Sequence, residues 1–406
     1  MSESAWLLPS RSTKRDRSGL DTAVAATCAL LLTALAFGAW LQPAGQWRLA
    51  ALALVGAAIG AVLLRTSFGF AGAFRALVTQ GDAAPFRAHA MMLALSSVLM
   101  LPMLAQGTLL GQHLHGEATQ VGIGFAVGAL LFGVGMQIGG GCASGTLYAL
   151  GGGNGKLLGT LAGFIFGSAL GAWSMGFWWS LPALPAVTLQ GLVGYGPALI
   201  LQLAVLALVW IAAGRSAKAP PPRLLLAGGL GLAALNAMTL LLAGKPWGET
   251  SAFALWGSKL VMALGADVHR WAYWMRPGFA TQLDGSLSLD VTSIMDAAIV
   301  LGAALAAAFA GAFRLRSGGG VRPWAAALLG GAAMGFGARL ANGCNIGAYF
   351  SAISVGNLSG WAWVLLALAG SWGGVRLRPL FGLDDRPMAA RRASDQPGLS
   401  PDVATC

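Results

Sequence analysis

Two cysteines sit in matching glycine-rich runs, and their chemistry is the most informative feature of the chain. Gly133-Val-Gly135-Met-Gln-Ile-Gly-Gly-Gly141-Cys142-Ala-Ser-Gly145 aligns without gaps on Gly335-Phe-Gly337-Ala-Arg-Leu-Ala-Asn-Gly343-Cys344-Asn-Ile-Gly347, sharing the pattern G-x-G-x5-G-C-x-x-G. Glycine breaks a helix and lets bare backbone approach a ligand. A helix that restarts there presents unpaired N–H groups and a partial positive charge, which suits an anion. A thiol is a soft, polarizable and weak hydrogen-bond donor. Phosphate or sulfate would more usually be met by Ser, Thr or Arg, so paired cysteines suggest a soft, sulfur-bearing anion. The alternative is that each cysteine fills a glycine-sized slot as a small hydrophobe.

The surrounding chain is a membrane protein. Of 406 residues, 56% are hydrophobic and 10% charged, and the mean hydropathy is +0.70. A soluble domain cannot hide that much apolar surface. The 60 glycines and 15 tryptophans fit the same class. The net charge of +11 does not indicate nucleic acid, because the basic residues lie in short loops between apolar runs.

Runs long enough to cross about 30 Å of hydrocarbon fall near 21–41, 47–64, 89–110, 120–138, 156–176, 196–213, 223–243, 294–313, 323–341 and 359–375. With the N-terminus inside, the cytoplasmic loops hold Arg65, Arg75, Arg87, Lys156, Arg215, Lys218, Arg314, Arg316 and Arg376, while 111–119 and 177–195 hold no Lys or Arg. That asymmetry places both termini in the cytoplasm of a bacterial inner membrane. The stretch 244–293 departs from it with Lys245, Lys259, Arg270 and Arg276, as long external segments are free to do.

Four Gly-broken segments (67–78, 142–151, 246–263 and 344–355) are too short or too polar to span, and read as re-entrant half-helices. Phe68-Gly69 aligns on Trp247-Gly248, as Cys142 does on Cys344. The expected fold is therefore all-α and polytopic, with two units of about five spans plus two half-helices. Five is odd, so the second unit is inverted relative to the first. The boundaries are a cytoplasmic segment 1–20, repeat A at 21–195, repeat B at 196–380 with an external cap at 264–293, and a disordered tail at 381–406.

The segments GVGMQIGGGCASGTLYALGGGNGK, KPWGETSAFALWGSK and GFGARLANGCNIGAYFSAISVGNLSGWAW resemble the YeeE/YedE family of thiosulfate uptake proteins over nearly all of 47–375. The resemblance implies an inverted-repeat protein whose pore cysteines, here Cys142 and Cys344, pass thiosulfate inward by S–H hydrogen bonding. It also implies, by analogy, a small cytoplasmic sulfur-carrier protein as acceptor. Some members carry a further cysteine on another half-helix. Here 246–251 reads Pro-Trp-Gly-Glu-Thr-Ser, so Thr250 or Ser251 would supply a hydroxyl instead.

The candidate substrate pathway comprises Cys142, Cys344, Gly141, Gly343, Gly145, Gly347, Asn345, Thr250, Ser251 and Arg339. An intramembrane arginine is a functional candidate by default; the alternative for Arg339 is snorkelling to the outer surface. Asn342, Asn345 and Asn154 flank the breaks and are expected to cap the half-helices. Cys28, mid-span without a repeat partner, reads as packing. There is no C-x-x-C, no carboxylate–His cluster around His113 and His115, and no phosphate loop, so neither metal, cofactor nor direct ATP drive is expected. A membrane-embedded cysteine enzyme for sulfur transfer, a subunit without its own pore, and transport of another sulfur or selenium species are the competing readings.

Overall fold

The computed structural model describes residues 19–41, 47–316 and 320–383. Nearly all of the expected N-terminal segment 1–20 and of the expected tail 381–406 lies outside these. The described residues are mostly helical, with fourteen principal helices in chain order. They are α1 Gly19–Trp40, α2 Trp47–Thr66, α3 Phe70–Gln80, α4 Ala84–Gln106, α5 Ile123–Ile138, α6 Ala143–Gly151 and α7 Leu157–Trp179. Then follow α8 Tyr195–Arg215, α9 Arg223–Ala243, α10 Thr250–Ala263, α11 Val291–Phe309, α12 Val321–Leu340, α13 Asn345–Ser354 and α14 Ser359–Leu377. The first turns of α13 are π-helical.

Eight helical segments among the described residues are long and apolar enough to cross a membrane. The pair α12 and α13, bent by 44°, makes a ninth. The sequence reading expected ten spans. The tenth, α14, has the length of a span but does not count among the segments apolar enough to cross, since serines, glycines, tryptophans and Arg376 interrupt its apolar run. A second difference is the start of α4, expected at 89. Pro85 stands in its first turn and Asp82 Oδ1 accepts the Ala84 N–H, so the helix begins earlier. It ends at Gly107, after which 108–113 forms a small hairpin.

Helix pairing follows a regular scheme. Extensive contacts join α7 with α12, α5 with α14, α2 with α11 and α4 with α9. Others join α1 to α11, α4 to α8, α7 to α10, α3 to α14, α6 to α11 and α4 to α13. Adding seven to a label in the first half and subtracting seven in the second maps each of these pairs onto another. The contacts α5–α12 and α2–α9 map onto themselves.

Glycine makes the close pairs possible. With no hydrophobic drive between helices in lipid, close packing supplies the association, and small residues four apart permit it. Gly163, Gly167 and Gly171 on α7 pack against Leu328, Ala332 and Arg339 on α12, and Gly331 and Gly335 on α12 against Thr160 and Phe164 on α7. A Cβ at Gly331 would collide with the carbonyl oxygen of Thr160, and one at Gly370 on α14 with that of Leu130 on α5. Gly331→Val is therefore expected to destabilise the protein by about 2–3 kcal/mol, seen as a lowered unfolding midpoint in detergent. Gly38→Ala, which meets nothing within 4 Å, should leave the midpoint unchanged.

Candidate functional site

A helix start leaves backbone N–H groups without partners, and inside a bilayer no water is present to satisfy them. At α6 and α13 the cysteines do so. Cys142 is the N-cap of α6, where its sulfur accepts the Gly145 N–H at 3.4 Å and lies 3.3 Å from Ser144 Oγ. Cys344 caps α13, accepting the Ile346 N–H at 3.4 Å. The asparagines expected in this role do other work. Asn342 donates to Glu117 Oε2 and Thr119 Oγ1, Asn154 pairs through its backbone with Arg316, and the buried Asn345 side chain has no hydrogen-bond partner among the described residues.

Both thiols are 1% exposed and belong to one buried cluster at the centre of the helix assembly. Four half-helix starts meet there. The Cys142 sulfur touches the backbone of Ala71 in the first turn of α3. The Cys344 thiol lies 3.9 Å from Glu249 Oε2, and Glu249 is the N-cap of α10. The two cysteines lie within electrostatic reach of each other, and both of Glu249.

The glycines differ in role. Gly343 has φ +145°, a conformation only glycine adopts readily, and a Cβ there would lie 2.7 Å from the Ala348 nitrogen. A Cβ at Gly347 or Gly248 meets nothing within 4 Å, so open space adjoins the backbone next to Cys344 and Glu249. At Gly145 the one neighbour within 4 Å would be the Cys142 sulfur, at 3.4 Å. Gly141 is bounded only by ordinary contacts of 3.5 Å or more, so no close approach explains it.

Arg339, 7% exposed, does not reach solvent. Its guanidinium donates to the Tyr273 hydroxyl and, at 3.2 Å, to Thr250 Oγ1, tying the 264–290 segment to the first turn of α10. Burial pushes the Tyr273 phenol above its ordinary value, offset in part by the Arg339 charge. Gln137, 202 residues before Arg339, does the parallel task for α3, donating to the Ala71 carbonyl and accepting from Arg75. Ser251 donates to Thr292 Oγ1 at 3.1 Å, holding α10 to α11.

Asp296 and Glu249 stand in the sequence as the few carboxylates in or near the spans, which suggests a neutral to positive path. Both are buried, Glu249 beside Cys344 and Asp296 on α11, while sequence reasoning missed His89 on α4, enclosed by Phe68, Phe70, Phe86 and Tyr349. Asp296 and His89 are each the sixth residue of their helices and stand in corresponding places in the pairing scheme, a signal the sequence carried. No group of three or more metal-ligating side chains occurs among the described residues. Two surface cavities lie away from the cluster: about 660 Å³ beside Trp173, Phe177 and Trp271, and about 460 Å³ beside His115, Thr188 and Gln190.

The family model for sulphur transport matches residues 65–373, a stretch containing all four half-helices and both cysteines. The chain belongs to the sulphur transport family. It is 28% identical over 349 residues to the thiosulfate transporter TsuA of Spirochaeta thermophila, covering 79% of this chain and 96% of that one. It is 30% identical over 178 residues to the probable transporters YedE of Escherichia coli and Salmonella typhimurium. Those two matches span 43% of this chain and 42% of each YedE, less than half the length of either. Sulfur-compound transport by a multi-pass membrane protein is thus the activity of the family to which these helices belong.

The burial of the thiols has a direct consequence. With Cys28 and Cys406 replaced by alanine, a water-soluble maleimide is expected to label Cys142 and Cys344 at least tenfold more slowly in the folded protein than after denaturation. Mass spectrometry of timed samples reads the difference, and equal rates would contradict the closed packing.

Proposed function

We propose that the chain takes up thiosulfate or a closely related sulfur oxyanion across the bacterial inner membrane, through a central pathway lined by Cys142 and Cys344. The observation that carries this reading is the meeting of two Gly–Cys half-helix starts in one buried cluster. Each thiol caps its own helix, at helix ends that favour negative charge. In the closed structure the Cys344 S–H points to Glu249 Oε2 and the Cys142 thiol to Ser144 Oγ, and an anion would take the place of these partners. The relationship to TsuA over most of both chains supports the substrate class.

In this reading the halves α1–α7 and α8–α14 are inverted copies, as the seven-label pairing scheme and the 202-residue offset favour. Both termini face the cytoplasm, following the loop charges. Arg339 and Thr250 hold α10 under the outer cap, Ser251 fixes it on α11, and Asn345, Gly141, Gly145, Gly343 and Gly347 shape the passage around the sulfurs. The anion passes from one thiol to the other inside a constriction that excludes water. A cytoplasmic sulfur-carrier protein then receives it.

Glu249 beside Cys344 lends some support to a second reading, since a nucleophilic thiol requires a base. In sulfur transfer, the Cys344 thiolate would attack the outer sulfur of thiosulfate, leaving a persulfide on the protein and releasing sulfite. The transport reading expects no sulfite release from purified protein mixed with thiosulfate.

The decisive test is thiosulfate uptake by cells lacking other routes. Cys142→Ser and Cys344→Ser are each expected to reduce initial uptake by at least tenfold at unchanged protein level, because a serine hydroxyl holds a harder, smaller donor at the same place. Full uptake by the double variant would overturn the thiol pathway. Gly347→Leu, which fills the open space beside Cys344, should cut uptake to a few per cent, whereas Gly347→Ala should retain most of it. Competition by sulfate, sulfite and selenite ranks the substrates.

A further inference from the structure

Two carboxylates lie in the interior with no neutralising cation among the described residues. Asp296 is 0% exposed, and neither of its oxygens has a hydrogen-bond partner. Glu249 is 1% exposed; its Oε1 has no partner, while Oε2 faces the Cys344 thiol at 3.9 Å. The two acids are within electrostatic reach of one another. Their register is fixed by two hydrogen bonds between α10 and α11, Ser251 to Thr292 at 3.1 Å and Trp256 to Ser293 at 2.8 Å. Asp296 follows Thr292 by four residues and Ser293 by three, so it continues the face of α11 that α10 covers.

The groups facing the pair from every neighbouring element are few. Cys142 and Cys344 stand at the starts of α6 and α13, and Asp290 stands just before α11. Arg339 on α12 is turned to Tyr273 and Thr250, and Lys259 on α10 is held by the Leu283 carbonyl. From α1 and α2 come only Asp21, Arg48 and Arg65, near the helix ends, while α7 carries no charged residue. A buried carboxylate pair without a basic partner is costly in its doubly charged form, and an intramembrane acid marks an ion or proton path by default. A thiosulfate dianion at the cysteines adds two more negative charges beside Glu249, and one proton on the pair relieves that repulsion.

We propose that Glu249 and Asp296 form a proton-binding pair that takes up one proton with each anion and releases it on the other side, making uptake a proton co-transport. This rests on the thiosulfate reading above. A proton suits the pair better than a metal cation. The free oxygens number three across both acids, whereas a hard divalent ion such as Ca²⁺ needs six to eight; a proton needs one.

The test uses the full-length protein in proteoliposomes, with the membrane potential clamped by potassium and valinomycin and a pH dye inside. Thiosulfate accumulation is followed with and without an inward gradient of one pH unit. One proton per anion raises the accumulation ratio about tenfold per pH unit and acidifies the interior in step with uptake. Glu249→Gln and Asp296→Asn are each expected to lose this response, while the exposed Asp284→Asn retains it. Thiosulfate uptake by the unaltered protein that ignores the pH gradient, or that follows a sodium gradient instead, would overturn the coupling and leave the transport reading standing. A gradient response preserved in both Glu249→Gln and Asp296→Asn would remove these acids from the role. Absence of thiosulfate uptake under every condition would overturn the transport reading and this inference together.

Discussion

A helix that begins inside a bilayer must satisfy its first N–H groups without water, and the structure depends on how this is done at four places. Two of the caps are sulfur atoms. Cysteine is a weak acceptor compared with Ser, Asn or Asp, so α6 and α13 start from caps that hold the backbone loosely and leave the soft thiol at the centre. A third start, that of α10, is capped in position by Glu249, whose carboxylate turns to the Cys344 thiol rather than to its own helix. The chemistry of the centre therefore follows from which side chains stand at helix starts.

Holding four helix starts together requires the flanking helices to approach closely, and that is what the glycine rows provide. The α7–α12 and α5–α14 pairs run with backbone nearly against backbone at Gly163, Gly331, Gly133 and Gly370. Such contacts leave little room for sliding, so the half-helices hang from a stiff frame. Gln137 and Arg339 extend from corresponding places in that frame, one to α3 and the other to α10. Their difference in charge means that the two sides of the centre are not electrically alike, although their backbone scheme is. Arg339 also carries the 264–290 segment, through Tyr273, so that segment and the α10 start are linked by one side chain.

Closure is the other consequence. Both sulfurs, Glu249 and Asp296 are buried in the same region, so the proposed passage of an anion there requires a local rearrangement. The open space beside Gly248 and Gly347 lies next to Glu249 and Cys344, whereas Gly145 is backed by the Cys142 sulfur. Half-helices of nine to fourteen residues are short enough to move without disturbing the long pairs, and the π-helical turn after Cys344 is a backbone form often found at functional sites.

The sequence by itself determined the elements and their order. Continuous apolar runs specify helices in lipid because no other open structure satisfies the backbone there, and the gapless Gly–Cys repeat marked where they break. Hence the long helices and the four short ones, α3, α6, α10 and α13, were legible within a few residues, apart from the α4 start and the apolar strength of α14. What only the tertiary structure decided were the partners: Cys344 with Glu249, Arg339 with Tyr273 and Thr250, Gln137 with α3, and the thiols rather than the asparagines as caps. Apart from the caps, these contacts join residues 62 to 95 positions apart. No helical period records them, because distance along the chain carries no information about which helix starts share the centre; glycine-mediated packing of the long helices fixes that.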